Sequence, residues 1–170
     1  MVAALALLVR ALLTPAPPVP LYGTPGPPAP AINHFAPDVS LLDASGNRIR
    51  LSSLRGSVVV LNFWYAACEP CRSEMPTLER TYEQNQKVGL VIVGVDVADD
   101  AQTMAAFART LGVTYPVFRD DQGSAFSAFQ LSATPSTFVI DRAGVIRYKI
   151  VGPADGDTLR QETATLLSMG

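Results

Sequence analysis

Two apolar runs dominate the hydropathy pattern: VVVLNFW at residues 58–64 and LVIVGVDV at residues 90–97. Both are rich in β-branched side chains and show almost no polar alternation. That is the pattern of strands covered on both faces, as in a central parallel sheet. Residues 70–86 between them read as a helix, so the segment forms a strand-helix-strand unit with a right-handed crossover. After the second run, Asp99 or Asp100 can cap a helix that runs to Leu111 and ends at Gly112. YPVFRD then supplies a short strand and GSAFSAFQL a short helix. Upstream, VSLLDASGNRIRLSSL predicts a hairpin with Ser45, Gly46 and Asn47 at its turn. Downstream, STFVIDRAGVIRYKIVG predicts a second hairpin turning at residues 141–144, and DTLRQETATLLSM a last helix capped by Asp157. The order predicts an α/β fold, a mixed central sheet flanked by helices.

This regularity begins near Phe35. Residues 1–13, MVAALALLVRALL, are apolar except for Arg10. A bilayer span needs about 20 apolar residues, and neither a basic start nor a small-residue cleavage site is visible. Residues 14–34 form a proline-rich linker: eight of the sixteen positions from Pro15 to Pro30 are proline. Proline fixes φ and removes a backbone donor, which excludes a helix or central strand there. At about 3.1 Å per residue, this run reaches on the order of 50 Å. An apolar head on a stiff spacer suits a domain tethered to a membrane or carrying a truncated export signal; the plain alternative is a leader without a role. Residues 35–170 are then the folded domain.

Composition narrows the function. With 170 residues, 48% of them hydrophobic, the chain can bury a real core. A net charge of -2 and the lack of any basic run argue against nucleic acid as a partner. Two cysteines are too few for a disulfide framework, and bridging so short a loop stabilises little. Cys68 and Cys71, in NFWYAACEPCRSEMP, therefore point to chemistry.

Cys68 follows the end of a buried strand, and Pro70 sits where a first helical turn begins. The unpaired N–H groups and dipole of a helix start favour a thiolate at Cys68, the expected nucleophile. Cys71, one turn in, is the resolving thiol, and only one of the two is expected to be accessible. A zinc site would want a second Cys/His pair, and the one histidine is His34. Glu74 lies three residues after Cys71, on the same helix face. Its carboxylate can accept the Cys71 proton or repel its thiolate, or be a solvated glutamate beside Arg72. Glu69, between the cysteines, should be exposed and slightly disfavour the Cys68 thiolate, which leans the pair toward reduction. Pro76 inside the helix should kink it. Pro135 enters a strand after a loop, where the Thr134–Pro135 bond is either an ordinary trans bond or cis. In the cis form the Thr134 backbone can pair with a bound peptide.

LRGSVVVLNFWYAACEPCRSEMPTLE and TPSTFVIDRAGVI together resemble the thioredoxin superfamily, and within it the TlpA/ResA/CcmG branch. APDVSLLDASGNRIRLSSLRG is similar to the N-terminal hairpin of that branch and of peroxiredoxins. The resemblance runs from Phe35 to Gly170. It implies a thioredoxin fold with an added N-terminal β-hairpin, and a thiol-disulfide oxidoreductase that reduces protein disulfides. In that frame Cys68 attacks, Cys71 resolves, Glu74 tunes the cysteines, and Thr134, cis Pro135, Trp64, Glu69 and Pro70 meet substrate. Asn62 stands where thioredoxins carry a buried aspartate. Ala67 departs from the branch, which has tryptophan before the first cysteine; Cys68 is then expected to be more exposed.

The resemblance further implies an extracytoplasmic, tethered monomer with no cofactor beyond the Cys68–Cys71 pair. Its substrates would be the cysteines of apocytochrome c or of its assembly factors, with a membrane thiol transporter as electron donor. A peroxiredoxin-like peroxidase is the first rival, but it needs proline and threonine where Leu61 and Tyr65 stand. A copper-handling chaperone of the Sco type is the second; it uses a wider cysteine spacing and a histidine within the fold.

Overall fold

The computed structural model describes residues 25–169. The apolar segment 1–13 and the linker up to residue 24 lie outside the described residues. The first apolar run becomes β3 (Val58–Trp64) and the second β4 (Leu90–Asp96), paired in parallel with Asn62 opposite Gly94. Helix α1 (Glu69–Asn85) joins them and continues through Pro76, which faces solvent. The N-terminal hairpin is β1 (Ser40–Leu42) with β2 (Arg48–Arg50). Helix α2 (Ala101–Thr110), β5 (Val117–Arg119) and helix α3 (Ser124–Ala128) follow. The chain closes with the hairpin of β6 (Ser136–Ile140) and β7 (Ile146–Val151) and with helix α4 (Gly156–Leu167).

These strands form one mixed sheet, in the order β2-β1-β5-β4-β3-β6-β7. β3 lies inside it, parallel to β4 and antiparallel to β6, and every one of its residues is buried. Side chains alternate across a strand, so its apolar run divides between two cores. Val59, Leu61 and Phe63 join one core with Phe129 and Phe138, whose rings lie 5.2 and 5.9 Å from that of Phe63. Val58 and Val60 join the other, with Leu78 of α1 and Leu159 and Leu166 of α4. Asn62 and Trp64 share this second face by their spacing. Gly94 makes room there: a Cβ at its position would sit 2.9 Å from the Trp64 indole nitrogen.

Two expectations change. The cap of α4 is Asp155, whose backbone is extended and whose carboxylate accepts the Thr158 N–H at 2.9 Å. Asp157 lies inside the first turn, paired with Arg160. The second change concerns residues 25–34, assigned to the linker from composition. They lie on the end of β7 that enters the sheet. Asn33 donates its N–H to the Ile146 carbonyl at 2.8 Å, and Ile146 returns one to His34 at 2.9 Å. Proline content forbids a continuous strand but leaves single backbone pairs possible, and those suffice here.

Arg147 secures this junction. It is buried, donates to the Asn33 side chain at 2.7 Å, and pairs with Asp141 at 2.7 Å. Removing Arg147 takes away the countercharge of Asp141, which keeps the N–H groups of Ala143 and Val145 as donors. Arg147→Ala should therefore cost about 3 kcal/mol of stability in denaturant unfolding; an unchanged midpoint would contradict this account of the junction.

Candidate active site

β3 ends at Trp64, on the end of the sheet nearest the cysteines, and a three-residue loop leads to Cys68. Cys68 is the N-cap of α1, with extended backbone at φ -82° and ψ 103°. Its sulfur accepts the Cys71 N–H at 3.2 Å, and its carbonyl accepts the Arg72 N–H at 3.1 Å. Pro70 occupies the first turn, where no intrahelical N–H bond is lost. Cys68 and Cys71 are joined in a disulfide, their Cα atoms 5.2 Å apart. When the bond is reduced, the first-turn N–H groups and the helix dipole remain aimed at the Cys68 sulfur, which favours its thiolate.

Accessibility differs less than expected. Cys68 is 4% exposed and Cys71 is fully buried. The small side chain of Ala67 does not lay Cys68 open, because Cys68 packs into a cluster with Trp64, Met75, Met104 and Phe107. Ala67 itself is exposed.

Glu74 is no solvated helix glutamate. It is buried at 4% exposure. One carboxylate oxygen accepts the Asn62 amide at 2.7 Å, and the other accepts the Ala154 N–H, also at 2.7 Å. Asn62 donates in addition to the Thr137 hydroxyl at 3.0 Å. Burial pushes the Glu74 carboxyl above its ordinary value, and the Ala154 and Asn62 bonds pull it partly back. Arg72 turns away from it. The guanidinium lies 5.0 Å from the Phe107 ring centroid and 3.6 Å from exposed Glu69.

The Thr134–Pro135 peptide bond is cis. Pro135 is buried, Thr134 is half-buried, and the Pro135 carbonyl accepts the Gly152 N–H at 2.8 Å. The β3–β6 register pairs Phe63 with Ser136. Pro135 thus lies alongside Trp64, at the strand end that leads to Cys68. Glu69 and Pro70 are exposed beside the disulfide. Trp64 is a correction: it is wholly buried and stacks on Phe107 at 5.3 Å, so it supports the site from below and offers no surface to a substrate.

Three aspartates complete the arrangement. Asp99 accepts the Ala66 N–H at 2.6 Å and so holds the loop before Cys68, while Asp100 caps α2. Asp96, buried at the end of β4, accepts the N–H groups of Ala98 and Asp99 at 3.0 and 2.8 Å. Burial first, and the neighbouring Asp99 charge after it, push the Asp96 carboxyl up to about 6 against those two bonds. No spacing or motif singles out Asp96; its one signal is an acidic residue within a buried apolar run.

Comparison with known proteins gives a consistent result. The AhpC/TSA family model matches residues 32–149. The thiol-disulfide oxidoreductase ResA of Geobacillus thermodenitrificans (strain NG80-2) is 34% identical over 138 residues, 81% of this chain and 79% of that one. ResA of Bacillus subtilis (strain 168) is 36% identical over 117 residues, 69% of this chain and 65% of that one. Among solved structures, a thiol:disulfide interchange protein of the thioredoxin family from Chlorobium tepidum TLS superposes with a TM-score of 0.71. It is 26% identical and is matched over 84% of this chain and 98% of that one.

Asp96 makes stability depend on pH. Its carboxyl binds a proton more tightly in the folded chain than in the unfolded one, where an ordinary aspartate value near 3.8 applies. The resulting stabilisation is complete below that value and is lost as pH rises through about 6. Relative to Asp96→Asn, the wild-type chain should melt higher at pH 4 than at pH 7.5; a melting difference that stays constant with pH would refute this.

Proposed function

This chain belongs to the AhpC/TSA family, and on that premise we propose that it reduces the disulfides of protein substrates outside the cytoplasm. It is a thiol-disulfide oxidoreductase with a thioredoxin fold, similar to ResA. The observation that carries the reading is the Cys68–Cys71 disulfide at the start of α1, with buried Glu74 one turn further along.

In the reduced protein the Cys68 thiolate attacks one sulfur of the substrate disulfide. A Cys68–substrate bond forms, and the first substrate thiolate leaves. Cys71, once deprotonated, attacks the Cys68 sulfur. The Cys68–Cys71 bond forms and the second substrate thiolate leaves. Two electrons pass from the pair to the substrate, and two protons end on the substrate thiols. Glu74 is placed to influence the second step, because Cys71 must lose its proton before it can resolve. A dithiol donor returns the pair to its reduced form.

Two carboxylates favour reduction over oxidation. Glu69 carries its charge between the cysteines, and Glu74 lies three residues after Cys71. Both disfavour the thiolate that a strongly oxidising pair must stabilise. The likeness to ResA supports cysteines of apocytochrome c or its assembly factors as substrates, with a membrane thiol transporter as donor. It also supports a domain held at the outer face of a membrane by its N-terminus. Neither rival is favoured. Leu61, in the position where a peroxidase needs proline, is a core residue of β3. His34, the histidine a copper chaperone would call on, lies 2.8 Å from the Pro27 carbonyl on the N-terminal segment.

Cys71→Ala should accumulate mixed disulfides through Cys68 when mixed with insulin. Trapping through Cys71 in the converse variant, and none through Cys68, would reverse the assignment. The Cys68–Cys71 potential should lie closer to the about -270 mV of thioredoxin than to the about -120 mV of DsbA. A value near the latter would contradict a reductant.

A further inference from the structure

A groove of about 630 Å³ opens beside the disulfide, between the loop before Cys68 and helix α2. It is shallow and open to solvent, a place for a side chain presented from another surface. Ala66 and Ala67 line it from the loop and Ala106 and Phe107 from α2, together with Arg72, Asp99 and three polar residues of α2. Alanines present little relief, so a flat group can approach closely. The Asp99 carboxylate is already engaged by the Ala66 N–H. It keeps its negative charge and repels an anionic occupant, while Arg72, 3.6 Å from Glu69 and with a side chain 46% exposed, presents the cation.

Planar groups lead into this groove from the core. Buried Trp64 stacks on Phe107 at 5.3 Å and 26° between planes, and the Arg72 guanidinium lies 5.0 Å from the same Phe107 ring. Arginine stacks on aromatic faces as readily as it pairs with carboxylates. Its partly exposed side chain leaves this series open at the surface. The groove also begins at Ala67, the residue directly before Cys68. A protein disulfide that reaches the Cys68 sulfur therefore brings its flanking residues over the groove.

We propose that this groove takes an aromatic side chain of the substrate protein, from a residue beside the disulfide that Cys68 attacks. The ring lies against Ala66 and Ala67 and stacks on the Arg72 guanidinium, extending the series of Trp64, Phe107 and Arg72. This rests on the disulfide-reductase reading and adds to it a preference among substrates. Apolar contact with the alanines and stacking on a cation both favour a ring over an aliphatic or anionic side chain.

The test uses the reduced full chain and three disulfide-linked peptides of equal length, which differ in carrying Trp, Ser or Glu beside the cysteine. The readout is the ratio of kcat/KM values within each protein variant, which cancels changes in thiol reactivity. Wild type should favour the Trp peptide over the Ser peptide by about five- to tenfold. Ala67→Trp and Ala106→Trp fill the groove from two different elements, and each should bring the ratio to about one. Arg72→Gln should lower it to about two- to threefold. A wild-type ratio near one, a ratio unchanged in both filled variants, or the Glu peptide being preferred would each overturn the groove while leaving the reductase reading intact. No turnover of any of the three peptides would end both.

Discussion

The buried carboxylate of Glu74 is the contact on which the site depends. Its two oxygens bind the Asn62 amide on β3 and the Ala154 N–H in the segment leading to α4. Asn62 passes the connection on to Thr137 of β6. One side chain thus ties the first turns of α1 to two adjacent strands and to the connection after β7. An unpaired buried carboxylate would cost several kcal/mol, whereas hydrogen bonds to a charged group each return about 1.5–3 kcal/mol. That arrangement holds the N-terminus of α1, and with it both cysteines, in place over the sheet.

The same contact has a chemical consequence. Burial keeps the Glu74 carboxyl inclined to hold a proton, while its two donors stabilise the ionised form. A group balanced in this way responds to a charge appearing nearby, and Cys71 lies one helical turn before it. Cys68 is under different control. Its environment is set by the first-turn N–H groups of α1 and by a loop that Asp99 holds through Ala66. The nucleophile and the resolving thiol are therefore tuned from opposite directions, one by the helix start and one by a carboxylate. Glu69, exposed between them, reaches both only through solvent-screened charge.

Much of this is legible in the sequence. The two apolar runs marked β3 and β4 because a strand covered on both faces has little reason to alternate. The cysteine pair and the Thr-Pro strand marked the site because few other constraints place those residues at those points. What escaped depended on contacts distant in sequence. Glu74 has no local signature that separates a solvated carboxylate from a buried one; the Ala154 N–H, 80 residues away, makes the difference. Trp64 ends an apolar strand whether it faces substrate or core, and only the packing of Phe107 decides for the core. Residues 25–34 look like linker by composition, yet a few backbone bonds to β7 fold them in. Asp157 reads as the cap of the last helix in sequence, but the extended backbone lies at Asp155, which takes that place. Ala67 is the instructive case: its small size does not expose Cys68 and instead shapes the groove beside it.

The central claim is that Glu74 sets the acidity of Cys71, the resolving thiol, and titration of the thiols in the reduced protein tests it most directly. Glu74→Gln suits the purpose. Its oxygen can accept the Ala154 N–H, and its amide can donate to Asn62 once the Asn62 amide turns over. The fold is thereby kept while the charge is removed. An ionised carboxylate nearby raises a thiol pKa. The apparent Cys71 pKa should therefore fall in Glu74→Gln, and the coupling between carboxyl and thiol titrations should vanish. Superimposable titration curves for the two proteins would contradict the account.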